Sequence, residues 1–127
     1  MNVAAALESI VAFIVRSLNP QSVILFGSVT QGRAGPNSDI DLLVIGGFRE
    51  ARALRGRELG ALFEQYAMPI DVQCYTTEEF NREAADASSF AAMVARHGDC
   101  LYGKPVLYEN VGPKKELPES SPRKNFQ

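Results

Sequence analysis

Two aspartates separated by one residue mark the part of the sequence best suited to chemistry. Asp39 and Asp41 flank Ile40, and the apolar run from Leu42 to Ile45 follows at once, which predicts a short buried strand. Residues i and i+2 of a strand point to the same face, so the two Cα atoms should lie about 6.6 Å apart. Two ionised carboxylates this close repel each other, and hard divalent cations such as Mg²⁺ take oxygen ligands of this kind. The spacing therefore predicts a metal site.

A Gly-Ser pair ten residues earlier predicts a phosphate site. The apolar run from Val23 to Phe26 stops at Gly27 and Ser28, so a strand should end there. Glycine has no Cβ, which lets a triphosphate lie against the backbone, and Ser28 adds a hydroxyl donor. Backbone N–H groups at the start of a following helix also suit a phosphate. The predicted site thus binds phosphate at one edge and metal at the other. Phosphoryl or nucleotidyl transfer requires this arrangement.

Gly27-Ser28, a ten-residue spacer and Asp39-Ile40-Asp41 together resemble the signature of the DNA polymerase β-like nucleotidyltransferases. Either half of this pattern alone is common in turns, but the combination with two flanking strands is specific. The short chain is similar to the minimal nucleotidyltransferase branch, many of whose members are antitoxins paired with a HEPN-domain toxin. The resemblance covers about residues 3–108. It implies an α/β (α+β) fold, with a small mixed sheet, helices packed on one face and the carboxylates at the open side.

The resemblance also implies roles for individual residues. Asp39 and Asp41 would hold two Mg²⁺ ions, and Gly27 and Ser28 would bind the phosphates of an NTP. Asp71 opens a third β-prone run, 69–75, and would be the third carboxylate, completing the metal ligands and helping to deprotonate the acceptor. The alternative for Asp71 is a solvent-exposed acid on an edge strand. The implied donor is ATP, and the implied acceptor is a tyrosine hydroxyl of a cognate HEPN toxin.

Two other functions stay open at this stage. The chain could be a non-catalytic antitoxin that neutralises its partner by binding and occlusion, or an oligomeric adenylyltransferase of small molecules. Occlusion needs no metal site, so the five site residues together favour catalysis. The chain has no room for a second substrate domain, and we therefore expect a partner protein or a second copy to close the site. The sequence leaves the nucleotide, the acceptor and the oligomeric state open.

Composition sets outer limits on the function. With 127 residues, of which 46% are hydrophobic and 22% charged, the chain has the make-up of one globular domain. A net charge of −2 argues against a dedicated nucleic-acid binder. Cys74 and Cys100 form no disulfide framework, and neither a signal peptide nor a membrane span is apparent, so we expect a cytoplasmic protein. We place the nucleotidyltransferase domain at 1–108 and a polar, flexible C-terminal tail at 109–127.

Hydrophobic periodicity predicts the elements that position these residues. Helices are expected over residues 3–18, about 28–31, about 49–66 and 87–97, and strands over 22–26, 40–45 and 69–75. Thr76 and Glu79 have the spacing of a capping box, which predicts another helix after the third strand. Four arginines crowd the start of the 49–66 segment and form either a solvated polar face or a contact for nucleotide phosphates or an acidic partner: Arg49, Arg52, Arg55 and Arg57.

Overall fold

The computed structural model describes residues 3–27, 40–66 and 69–104. Its strands are β1 (Ser22–Phe26), β2 (Ile40–Gly46), β3 (Ile70–Thr76) and β4 (Asp99–Gly103), and its α-helices are α1 (Val3–Leu18), α2 (Gly60–Phe63), α3 (Thr77–Ala84) and α4 (Phe90–His97). The predicted bounds of α1 and β1 are confirmed. The predicted helix at 28–31 and the tail at 109–127 lie outside the described residues.

The four strands form one mixed sheet in the order β3-β2-β1-β4. β1 runs antiparallel to both β2 and β4, whereas β2 and β3 are parallel. The parallel pair is joined by a long crossover, as this geometry requires. The strands β1 and β2 lie in the middle and are almost wholly buried, which explains their continuous apolar runs.

Apolar side chains on the two faces of the sheet form two separate layers. One layer lies under α1 and contains Ile10, Val23 and Leu42, and the other lies under α3 and α4 and contains Leu43 and Phe80. The predicted α+β fold with a small mixed sheet is confirmed. Helices nevertheless cover both faces rather than one, because alternate residues of β1 and β2 are apolar on both sides and both sides must be buried.

The prediction of one helix over 49–66 is wrong. The segment contains two 3₁₀ turns, Arg52–Leu54 and Arg57–Leu59, followed by the short α2. Arg55 between the turns is extended, and Gly56 has a left-handed φ of 76°. This conformation interrupts any continuous helix, and glycine adopts it without the steric strain of a Cβ.

The helix predicted after β3 is confirmed together with its cap. The Thr76 side chain accepts a hydrogen bond from the Glu79 backbone N–H, and the Glu79 carboxylate accepts one from the Thr76 N–H. Ser89 caps α4 in a similar way, by accepting from the N–H of Ala92. Among the described residues, no helix is both long enough and apolar enough to cross a lipid bilayer.

Candidate active site

Asp41 and Asp71 lie side by side at the start of the two parallel strands. Asp41 is the second residue of β2, Asp71 is the second residue of β3, and the two are directly paired in the strand register. Paired residues of neighbouring strands point to the same face, so the carboxylates share one face with strands about 4.8 Å apart. Asp41 is half-buried and Asp71 is exposed. This placement lets a cation or a ligand reach both carboxylates from solvent.

Gly27 borders this pair from the other side. It follows β1, whose last residue, Phe26, pairs with Asp41. Gly27 has a φ of 93°, and a Cβ at this position would lie 2.7 Å from Oδ2 of Asp41. The positive φ favours glycine at this position, and a Cβ there would also force the Asp41 carboxylate to move. Sequence reasoning assigned Gly27 to phosphate binding, and the structure adds that it makes room for Asp41.

Two of the five predicted site residues, Ser28 and Asp39, lie outside the described residues. The structure thus brings together Gly27, Asp41 and Asp71 and leaves the roles of all five as predictions. Within the described part of the chain, no group of three His, Cys, Asp or Glu side chains is arranged to hold a metal ion. Asp41 and Asp71 by themselves offer hard oxygen donors, and such donors fit Mg²⁺ better than a softer metal.

An aromatic pair next to the carboxylates was missed by the sequence reasoning. The rings of Phe26 and Phe90 meet edge to face, with centroids 5.1 Å apart. Phe26 lies on the same face as its partner Asp41, so these rings form an apolar wall beside the candidate site. The signal for Phe26 was the alternation along β1, which places it on the face opposite Leu25. No local signal placed Phe90 beside the candidate site, because it lies 64 residues farther along the chain than Phe26.

Gln73 and Cys74 follow Asp71 on β3 and face opposite sides of the sheet. Gln73 lies two residues after Asp71 on the same face and is half-buried, so it lies beside the candidate site. Cys74 faces the layer under α1 and is buried. Burial raises the pKa of the Cys74 thiol to about 11, so it stays protonated at neutral pH and behaves as a small apolar side chain.

The arginine cluster is partly buried. The sequence suggested either a solvated polar face or a contact for phosphates or a partner, and neither describes the cluster fully. The Arg55 side chain is only 6% exposed and donates two hydrogen bonds to the Glu79 carboxylate, at 2.6 and 3.0 Å. Arg52 pairs with Glu83 at 2.7 Å and lies over the Tyr75 ring, 4.2 Å from its centroid. These contacts fasten the two 3₁₀ turns to α3. Arg49 and Arg57 are exposed.

The described geometry defines a class of protein: a small α+β domain with paired carboxylates at the strand starts and a glycine turn beside them. Comparison with known families agrees. The model of the nucleotidyltransferase domain family matches residues 7–95. The chain belongs to this family and is a nucleotidyltransferase, which confirms the recognition drawn from the Gly-Ser and Asp-x-Asp pattern.

Two solved structures share the fold. One is a crystal structure of a toxin–antitoxin with AMP-PNP, with 24% sequence identity and a TM-score of 0.54 over 76% of this chain and 73% of that chain. The other is a toxin–antitoxin MntA–HpeT mutant with two aspartates changed to glutamate, at 20% identity and a TM-score of 0.52, covering 76% of this chain and 72% of that chain. No curated protein matches the sequence significantly.

Proposed function

We propose that this nucleotidyltransferase is the antitoxin of a toxin–antitoxin pair and transfers AMP from ATP to a tyrosine hydroxyl of its toxin, a HEPN protein. The observation that supports the transfer chemistry is the register pairing of Asp41 with Asp71 beside Gly27. The antitoxin role and the tyrosine acceptor rest on the resemblance of the sequence to antitoxins that are paired with HEPN toxins. The AMP-PNP in one similar structure supports an adenine nucleotide as donor. The mutant in the other carries two aspartate substitutions, and the Asp39-x-Asp41 motif supplies two aspartates here.

In the proposed reaction, the acceptor oxygen attacks the α-phosphorus of ATP. A new P–O bond forms to the acceptor, the bond from the α-phosphorus to the oxygen bridging to the β-phosphorus breaks, and pyrophosphate leaves. Asp71 is the exposed carboxylate of the pair and takes the proton of the acceptor hydroxyl. Asp39 and Asp41 would hold the metal ions at the nucleotide end of the site, and Gly27 and Ser28 bind the β- and γ-phosphates.

Asp39, Asp41 and Asp71 would bind two Mg²⁺ ions. The positive charge of these ions would offset the negative charges of the phosphates and of the two facing carboxylates. The chain's own part is to keep the Asp41 and Asp71 side chains close together despite their repulsion, through the hydrogen-bonded register of β2 and β3. Phe26 and Phe90 limit access of water from one side. Two free thiols fit a reducing cytoplasm as the place of action.

The test is intact-mass analysis of the toxin encoded beside this chain after incubation with the full chain, Mg²⁺ and each NTP. We expect the mass of one AMP to be added with ATP, and none with EDTA. Asp41→Asn and Asp71→Asn should each slow the transfer by on the order of 10²-fold or more, because each removes a carboxylate from the reacting centre. Asp99→Asn is the matched control, since Asp99 is an exposed aspartate on β4 whose partner, Leu25, belongs to the opposite face.

Two results would count against the proposal. An unmodified toxin in every NTP reaction would remove this acceptor, and labelled small hydroxyl compounds would then be screened for adenylylation. Full protection of cells by the Asp39→Asn, Asp41→Asn double variant would favour neutralisation by occlusion, because binding alone needs neither carboxylate.

A further inference from the structure

The outer side of α1 is unusually apolar for a surface helix. Glu8 and Arg16 are the only charged residues among its sixteen. The side that faces the sheet is buried in the first apolar layer, but Ala12 is exposed and Val11 and Val15 are only half-buried. A helix that faces water on one side normally carries charged or polar residues there. Apart from these two charged residues and two serines, the outer side of α1 is apolar, so it could serve as a contact surface.

A groove runs along this side, between α1 and the edge strand β4. Its volume is about 540 Å³, which is room for several side chains. The walls are mostly apolar and include Leu7, Val11 and Leu101. Tyr102 also lines the groove and is 39% exposed, and only Leu54 is comparably exposed among the large apolar side chains of the described residues. Water in such a groove is readily displaced by another apolar surface.

The positions of the two charged residues of α1 indicate which kind of partner this surface binds. Glu8 and Arg16 lie four residues before and four residues after Ala12, about 12 Å apart along the helix. They are too distant to pair with each other, and neither forms an ion pair with another described residue. The Arg16 guanidinium lies only near the Phe13 ring, 5.9 Å from its centroid. A two-fold axis through Ala12 would place each Glu8 opposite Arg16 of a second copy.

We propose that the groove binds α1 of a second copy of this chain, so that the protein forms a two-fold symmetric dimer centred on Ala12. Antiparallel α1 helices would then fill each other's grooves, and two identical ion pairs would close the ends of the contact. Opposite charges at equal distances from the centre of the contact would form two identical ion pairs in a self-complementary dimer. Because α1 covers the face opposite to Asp41, both candidate active sites stay open in the dimer.

The test is the oligomeric state of the full chain by sedimentation velocity over a concentration series. We expect a monomer–dimer equilibrium for the wild type. Glu8→Arg and Arg16→Glu each place like charges opposite each other twice, and each should raise the dimer Kd about tenfold. The double variant Glu8→Arg, Arg16→Glu should return the Kd close to the wild-type value. Glu64→Arg, an exposed charge reversal outside the groove, is the control and should leave the Kd unchanged.

A second measurement does not depend on ion pairs. Ala12→Cys, in a Cys100→Ser background, should form a disulfide between two copies under mild oxidation, because the axis brings the two positions together. Ser17→Cys, also exposed on α1, should not. A wild-type chain that stays monomeric at every concentration would overturn the proposal, and so would single and double charge variants with the same Kd. Neither measurement requires nucleotidyl transfer, so the dimer and the proposed function can fail separately.

Discussion

Gly27 leaves room for the Asp41 carboxylate and for no side chain of its own. The backbone of Gly27 has a φ of 93°, and the distance from its ideal Cβ position to Oδ2 of Asp41 is 2.7 Å. Real Cβ atoms do not approach an oxygen this closely without displacement. At the residue scale, the backbone conformation of Gly27 and the position of the Asp41 carboxylate therefore depend on each other, whatever else binds near this turn.

Gly27→Ala should therefore damage the candidate site more than the fold. We expect the Cβ to displace the Asp41 carboxylate and to slow nucleotidyl transfer by on the order of 10²-fold. The strained φ should lower the free energy of unfolding by about 1–2 kcal/mol. Transfer rates and urea denaturation measure the two effects. Gly47→Ala is the control, because no atom lies within 4 Å of a Cβ there. Equal transfer rates for both variants would show that the Gly27 contact does not position Asp41.

Elements far apart in the chain are held together by one carboxylate, that of Glu79. It caps the first turn of α3 through the Thr76 N–H and also binds the Arg55 guanidinium from the crossover between β2 and β3. Arg55 in turn donates to the carbonyl oxygen of Cys74 on β3 at 3.2 Å. At the element scale, the ion pair between Arg55 and Glu79 thus attaches the 3₁₀ segment to α3, in place of the packing that a regular helix over 49–66 would have provided.

The Glu79 link predicts a specific loss of stability in acid. The hydrogen bond from Arg55, together with the backbone N–H of Thr76, lowers the pKa of the Glu79 carboxyl from 4.5 to about 2. A carboxyl with a lower pKa in the folded state stabilises that state above the unfolded pKa, and this contribution is lost as the pH falls. The free energy of unfolding should therefore fall between about pH 4.5 and pH 2.

The measurement is urea denaturation across this pH range for wild type and Glu79→Gln. The difference in stability between them should shrink as the pH falls, because protonation removes from the wild type the charge that the variant lacks. Glu78→Gln, at the exposed neighbouring position, should keep the wild-type pH dependence. A difference between wild type and Glu79→Gln that stays constant down to pH 2 would mean that the charge of Glu79 does not stabilise the fold.

On the scale of the whole molecule, the sheet separates two apolar layers that have different neighbours. The layer with Ile10 lies under the proposed dimer helix α1, and the layer with Phe80 lies under α3 and α4, on the face that carries Asp41. Phe80 is 1% exposed and Ile10 is fully buried, so each anchors its own layer. The arrangement puts the candidate chemistry and the proposed dimer contact on opposite sides of the molecule.

Substitutions in the two layers should be additive. Ile10→Val and Phe80→Leu should each reduce the free energy of unfolding by about 1 kcal/mol, and the double variant should lose the sum within about 0.5 kcal/mol. Phe80→Leu with Tyr75→Leu is the contrasting pair, because these two rings meet edge to face with centroids 6.1 Å apart. Urea denaturation of all variants gives the values. Strong coupling between positions 10 and 80 would contradict the separation of the layers.

Local physics was enough to predict several parts of this protein from its sequence. The bounds of α1 and β1 and the α3 capping box follow from short-range features, namely apolar periodicity and a cap spaced three residues apart. Such features depend on residues within a turn or a strand of each other, so the tertiary environment rarely overrides them. The nucleotidyltransferase family was instead recognised because the Gly-Ser and Asp-x-Asp pattern resembles a known signature.

Contacts between distant residues were decided only by the tertiary structure. The register that pairs Asp41 with Asp71 depends on the hydrogen bonding of two strands 30 residues apart, which no local pattern specifies. The break of the 49–66 segment likewise follows from Gly56 and from Arg55 reaching Glu79, 24 residues away. The sequence by itself predicted which side chains could do the chemistry, and the sheet register decided that Asp41 and Asp71 meet, because strand pairing depends on contacts between distant residues.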